Sequence, residues 1–229
     1  MMNISVLLPT YNSSCYIREQ IYSIVFQEIP SSIFLSIYIY DDKSSDDTPS
    51  ILLDLKYKFS FISNVSLEIL PYDECKLTGC PSYSFFYLCN HVYKISNSSY
   101  IFLADHDDIW APSKILTHLK AYRRNSSIVA VSSDMIAFDS CDYSSSYLFR
   151  SARQKPYDHL FQSASAGCTY SFSYYGLECI INALAVADSL SLRIPNHDWL
   201  FYFVIRNHRL GWLHLNIPLV FYRMHSNNY

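Results

Sequence analysis

Three carboxylates fall within four positions at Asp105, Asp107 and Asp108, directly after the short apolar run Tyr100–Ala104. A run of that length suits a buried strand and is too short for a helix. Carboxylates crowded in this way raise one another's pKa unless a cation or hydrogen-bond donors compensate. A hard divalent ion such as Mg²⁺, shared with substrate phosphates, is the usual compensation. Pro112 then predicts the first turn of a helix from Ser113 to about Arg124. The acids therefore belong to a loop at the carboxyl end of a buried strand, where open α/β sheets place their ligands. A solvated acidic turn that only caps the helix is the competing reading.

Two more polar clusters end apolar runs in the same manner. Pro9-Thr10-Tyr11-Asn12 follows Ile4–Leu8, and Asp41-Asp42 follows Ile33–Tyr40. In a parallel sheet these ends lie along one edge, so the three clusters converge. A nucleotide bound there would have its base met by Thr10 and Asp42, and its phosphates bridged by metal to Asp107. In the second half, Asp198 heads a helix in Asn196-His197-Asp198-Trp199, where Asp also commonly serves as a cap.

The elements that must position these residues alternate. Helices are expected over Cys15–Gln27 (capped by Ser13 or Ser14), from Pro49 onward with Ile51, Leu52 and Leu55 inward, and over Ser82–Ser96. Val65–Leu70 reads as a third strand. This order of strand and helix over residues 1–125 predicts a parallel, doubly wound sheet. The remainder is less regular. Ile128–Ser132 reads as a strand and Asp134–Arg150 as a loop or hairpin; Gly167–Phe172 has strand character. Leu177–Ala187 and the segment from Asn196 to Asn207 read as helices, and Trp212–His214 and Leu219–Tyr222 as strands. Trp110 and Trp199 are expected to be packing residues rather than stacking surfaces for a ligand.

Composition bounds the function. At 229 residues, half of them apolar and 16% charged, the chain is expected to fold as one domain, 1–229, with a nucleotide-binding half (1–125) and a less regular half (126–229). A net charge of -3 argues against nucleic acid as partner. Only four Gly occur, so Gly-rich phosphate cradles are absent and any phosphate must be held another way. Seven Cys with no Cys-x-x-Cys predict buried thiols in a reducing compartment. No leader-like segment or membrane-length apolar run is seen, so a cytoplasmic location is expected.

The motifs Ser5–Asn12, Asp41-Asp42-x-Ser-x-Asp and Asp105-His106-Asp107-Asp108-Ile109-Trp110 together resemble family 2 glycosyltransferases of the GT-A fold. Gly167-Cys168-Thr169, His197-Asp198-Trp199 and Tyr222-Arg223-x-His225-x-Asn227-Asn228 resemble the branch of bacterial rhamnosyltransferases of O-antigen and other polysaccharides. The resemblance implies a Rossmann-like α/β fold, with a mostly parallel sheet flanked by helices and a smaller, irregular acceptor-side half. It also implies a nucleotide-sugar donor (dTDP-rhamnose is the best single guess), Mg²⁺ or Mn²⁺, and a lipid-linked glycan acceptor met with peripheral contact at the inner face of the membrane. By position, Thr10 and Asp42 would hold the base and ribose, and Pro9, Tyr11 and Asn12 would line the nucleotide beside Thr10. Asp105 would face the ribose or the metal, Asp107 would ligate the metal, and His225 would reach metal or phosphates from the tail. Asp198 would be the general base of an inverting transfer, and Arg223 would approach the diphosphate or pair with a surface acid. Lys43 stands where relatives usually carry Gly, and His106 where this branch often carries Gln. A nucleotidyltransferase, or a relative that binds nucleotide sugar without turnover, is the alternative.

Overall fold

The computed structural model describes residues 2–72, 80–140, 144–148, 154–190 and 196–225. Its centre is β1 (Met2–Thr10), buried along nearly its whole length because it has a strand on either side and helices on both faces. It pairs in parallel with β2 (Ile33–Asp41) and β4 (Tyr100–Leu103), and β2 pairs in parallel with β3 (Val65–Leu70). Alternation along β1 divides the core. Ile4, Val6 and Leu8 face α1 (Ile17–Val25), α2 (Thr48–Phe59) and α4 (Lys114–Arg124), whereas Leu7 faces α3 (Pro81–Ile95). On that second face α5 (Tyr174–Ser189) and α6 (His197–Asn207) complete the packing.

Beyond β4 the sheet turns mixed. Its order is β3-β2-β1-β4-β8-β6-β9-β5, with β5 Ile109–Trp110, β6 Ile128–Asp139, β8 Ser171–Ser173 and β9 Gly211–Met224; β7 (Ser145–Leu148) pairs off the path with β6. β8 runs antiparallel to both β4 and β6, while β6 and β9 are parallel. The fully parallel arrangement expected from the alternation thus holds for four strands.

Several boundaries differ from the sequence expectation. No side chain caps α1, which is shorter than Cys15–Gln27; the Ser13 hydroxyl is engaged with Thr10 instead. β6 continues to Asp139 and β7 folds back on it, so the polar stretch after Asp134 is strand and hairpin where it is described; residues 141–143 and 149–150 lie outside the described set. Gly167–Thr169 is a 3-10 turn, leaving strand only at Ser171–Ser173. The two short strands expected near the end are one, β9, whose register slips opposite Ser133–Met135. The five described cysteines are free. Among the described residues no helix is long and apolar enough to cross a membrane.

Candidate active site

The three polar strand ends do converge. In register, Thr10 lies beside Asp41, and Leu103, two residues before Asp105, lies beside Leu7. The loops after β1 and β2 are knitted together by polar side chains. Asp42 donates its backbone N–H to Thr10 O at 2.9 Å, and Asn12 Oδ1 accepts from Ser45 N at 2.8 Å. Asp46 accepts from Ser14 N and Thr48 N, each at 3.0 Å. Burial alone would raise the Asp46 pKa, but these hydrogen bonds outweigh it and bring it down to about 2. Thr10 and Asp42 are buried, Tyr11 is exposed, and Pro9 is buried at the end of β1. Asn12 and Lys43 both take left-handed φ, 45° and 61°. Asn is enriched in that region and a long Lys is unusual there. The Lys43 ammonium lies 4.3 Å over the Tyr72 ring, which holds it at the nucleotide edge.

The acidic loop is held by polar side chains on and just past α1 that sequence reading missed. Gln20 Nε2 donates to Asp105 O at 2.7 Å, and Ser23 Oγ accepts from Trp110 N at 3.0 Å. Gln27, two residues beyond the helix, donates to Ala111 O at 2.8 Å and accepts from Ile115 N at 3.0 Å. Gln20 and Ser23 lie three positions apart on one face of α1, which serves the loop while its apolar neighbours serve the core.

From the other side, β9 fastens the loop. Trp110 pairs with Val220, and the strand then carries Arg223 over the acids. Arg223 N donates to Asp108 Oδ1 at 3.1 Å, Arg223 Nε donates to Asp107 O at 2.8 Å, and its guanidinium pairs with Glu19 at 2.5 Å. Arg223 thus pairs with an acid, as one of the two expected readings has it, and braces the loop. His225 Nε2 meets Asp107 Oδ2 at 2.9 Å and its ring stacks on Tyr16, with centroids 4.8 Å apart. Asp107 and His225, two of the three residues expected at the metal, are therefore brought together across 118 residues. Asn227 and Asn228 lie outside the described residues.

A second cluster of ligand-type atoms, Asp105, Asp108 and Cys168, lies within 4.8 Å. Burial, then the charge of Asp107, pushes the Asp105 carboxyl up to about 7. Burial, with Asp105 and Asp107, also raises Asp108 well above the carboxylate range, and burial keeps the Cys168 thiol protonated. Lys114, fully buried beneath them, donates to Cys168 O and sits 4.0 Å over the Trp110 ring; burial pushes its pKa down to about 7. An electrostatic site this short of positive charge suits a divalent ion with oxygen donors. Asp105 and Asp107 supply those, whereas a protonated thiol does not. Asp108 is the exception among the acids: it is fully buried and ties down Arg223.

Asp198 arrives from the opposite side of the sheet edge. Asn196, not Asp198, caps α6 by accepting from Trp199 N at 3.0 Å, which leaves the Asp198 carboxylate unneeded for capping. It lies 2.8 Å from His197 Nε2. His197 is stacked 4.3 Å from Phe85, and its Nδ1 is 3.2 Å from Ser82 Oγ. Burial opposes the imidazolium, yet the Asp198 carboxylate and its hydrogen bond raise the His197 pKa overall. Gly167 makes room: a Cβ there would come within 2.2 Å of Asp198 Oδ1. Gly167 lies against Asp198, and the adjacent Cys168 stands within 4.8 Å of Asp105 and Asp108, so Asp198 and the acidic loop meet the two sides of one turn. Trp110 is buried as expected, but Trp199 is exposed.

Comparison with known proteins agrees with this geometry. The model of the family "Glycosyl transferase family 2" matches residues 5–66. The chain is 30% identical over 228 residues to the dTDP-rhamnosyl transferase RfbG of Shigella flexneri, covering 96% of this chain and 72% of that protein. A poly(ribitol-phosphate) beta-glucosyltransferase of Bacillus spizizenii is 28% identical over 130 residues, 57% of this chain and 19% of that protein. Among solved structures, TarS 1–349 of S. aureus in complex with UDP superposes with a TM-score of 0.61 at 14% identity, covering 97% of this chain and 61% of that one. The mannosyltransferase PcManGT of Pyrobaculum calidifontis, in complex with GDP-Man and Mn²⁺, superposes with a TM-score of 0.62 at 15% identity, covering 99% and 58%. This chain therefore spans about three-fifths of each solved chain, and at such identities the likeness shows the fold, GT-A. With a relative 30% identical that matches 96% of this chain and 72% of its own length, the chain belongs to the family 2 glycosyltransferases.

Proposed function

We propose that this chain moves a deoxyhexose, rhamnose first among candidates, from a dTDP-activated donor to a lipid-linked glycan acceptor at the inner face of the membrane, inverting the anomeric carbon. The observation that supports this reading is that Asp198, uncommitted to capping, stands against the Gly167–Cys168 turn whose other side meets Asp105 and Asp108. The likeness to a dTDP-rhamnosyl transferase supports the choice of donor.

In this reading Thr10 and Asp42 hold base and ribose, with Pro9, Tyr11 and Asn12 around them. Asp105 faces the ribose or the metal. Asp107, with His225 opposite, would hold Mg²⁺ or Mn²⁺, which when bound neutralises charge on the departing diphosphate as a Lewis acid. Asp198 takes the proton of the acceptor hydroxyl as its oxygen attacks the anomeric carbon. The bond from that carbon to the diphosphate oxygen breaks, and the electron pair leaves with the nucleotide. A carboxylate within hydrogen-bond reach is what makes an alcohol competent for that attack. His197 and Gly167 set where that carboxylate stands.

Calorimetric titration with dTDP, UDP and GDP, with and without Mn²⁺, tests the reading. Metal-dependent binding of dTDP, abolished in Asp107→Ala, is the expected result. Failure of every nucleotide to bind the folded protein would remove the reading at its base.

A further inference from the structure

A short, fixed segment on the acceptor-side half exposes unusual apolar surface beside positive charge that meets no acid among the described residues. Tyr157, Leu160 and Phe161 are 69%, 41% and 84% exposed, and Trp199, next to Asp198, is 42% exposed. The segment is pinned to α6: Trp199 Nε1 donates to His159 O at 2.7 Å, Tyr202 OH to Asp158 Oδ2 at 3.0 Å, and Arg206 to Lys155 O at 3.2 Å. These side chains are therefore presented to solvent by a braced platform. Alongside it opens a cleft of about 490 Å³, lined among others by Gln154, Lys155, Arg206, Arg209 and Trp212. The acid of this segment, Asp158, is taken up by Tyr202, by Lys155 N and by Arg206 at 3.5 Å. Lys155 and Arg209 are left exposed.

Aromatic side chains together with exposed Lys and Arg are the composition that seats a protein on a bilayer interface. We infer that the 154–161 segment and the C-terminal end of α6 dock on an anionic lipid surface, with Phe161 and Tyr157 in the interface and headgroup phosphates drawn to Lys155 and Arg209. This rests on the lipid-linked acceptor proposed above. The face runs along α6, whose second residue is Asp198; at ~1.5 Å per residue its last residue, Asn207, lies about 14 Å along the axis from Asp198, within reach of a short glycan on a lipid carrier. A second exposed apolar patch, at Leu53 and Tyr57 of α2 and Phe61 just beyond it, fits a membrane less well. Its cations are engaged: Lys56 with Glu68 at 3.6 Å, Arg18 with Asp54 at 2.9 Å, and Lys58 with Tyr22.

The test is co-sedimentation of the whole chain with vesicles of mixed phosphatidylglycerol and phosphatidylcholine, and with phosphatidylcholine alone. Binding to the mixed vesicles, weakened by salt, is expected. Lys155→Gln and Arg209→Gln should each weaken it about fivefold. Phe161→Ser should weaken it about tenfold, and Tyr57→Ser with Phe61→Ser should leave it unchanged. Absence of binding, equal binding to the neutral vesicles, indifference to the Lys155, Arg209 and Phe161 variants, or loss in the α2 variant would each overturn the inference. Nucleotide titration of the same variants should be unchanged. A failure of the donor reading would therefore be seen separately from a failure of docking.

Discussion

Gly167→Ala is the sharpest probe of the acceptor-side geometry. The added Cβ would lie 2.2 Å from Asp198 Oδ1 and 2.7 Å from His197 Nε2, whereas ordinary contact begins near 3.4 Å. The carboxylate must then retreat by about 1.2 Å. Because the clashing atoms are the ends of side chains, the fold can yield at a cost of about 1 kcal/mol, the low end for overpacking. The chemistry cannot yield so cheaply: displacing a reacting group by ~1 Å costs about 10²-fold in rate. The expected outcome is a folded variant with dTDP affinity in Mn²⁺ within about twofold of wild type, and sugar transfer down about 10²-fold. Calorimetry gives the first and radiolabelled transfer or coupled nucleotide release gives the second. Transfer at the wild-type rate would show that Asp198 is not the base, or that its position against Gly167 is not the productive one.

Asp198→Asn should abolish transfer by about 10²- to 10⁴-fold and leave nucleotide binding intact, read by the same pair of assays. Asp107→Ala, or chelation of the wild type, should remove Mn²⁺-dependent nucleotide binding while thermal melting without ligand stays near wild type. Lys114→Met should lower stability by about 2 kcal/mol in urea unfolding, since it leaves the buried Cys168 carbonyl without its donor. Asp46 has a folded pKa depressed to about 2, so its contribution to stability is present above the ordinary carboxylate value and is lost as pH falls through about 2. Asp46→Ala should therefore cost about 1 kcal/mol near neutral pH, as loss of a cap does. Its unfolding midpoint should merge with that of wild type in strong acid.

Much of the nucleotide half was legible because its signals are local. An apolar run ended by Pro9-Thr10, or by Asp41-Asp42, declares a buried strand and a polar edge within ten residues, and β1 and β2 lie where those runs stand. What stayed hidden depends on distant partners. Gln20, Ser23 and Gln27 read as the polar face of a surface helix, yet they serve a loop some 85 residues away. β9 reads as two strands because Asn216 and Pro218 interrupt it, but pairing with β6 carries it through the interruption as a bulge. The partner that Asp108 takes, Arg223, stands 115 residues on, where no local pattern points to it. The cap at Asn196 could be read from its type and position. The consequence for Asp198 needed the structure.

The fastening of the acidic loop by the last strand has a bearing on synthesis. A chain emerging from the ribosome can pair β1 with β2, β3 and β4 once about half its length is out. The clamp of Arg223 and His225 on Asp107 and Asp108 closes only after residue 225 has emerged. Contacts of such long sequence separation form late. An incomplete nascent chain thus holds its nucleotide edge without the brace that orders its acids, so the competent site appears only when translation has passed the end of β9.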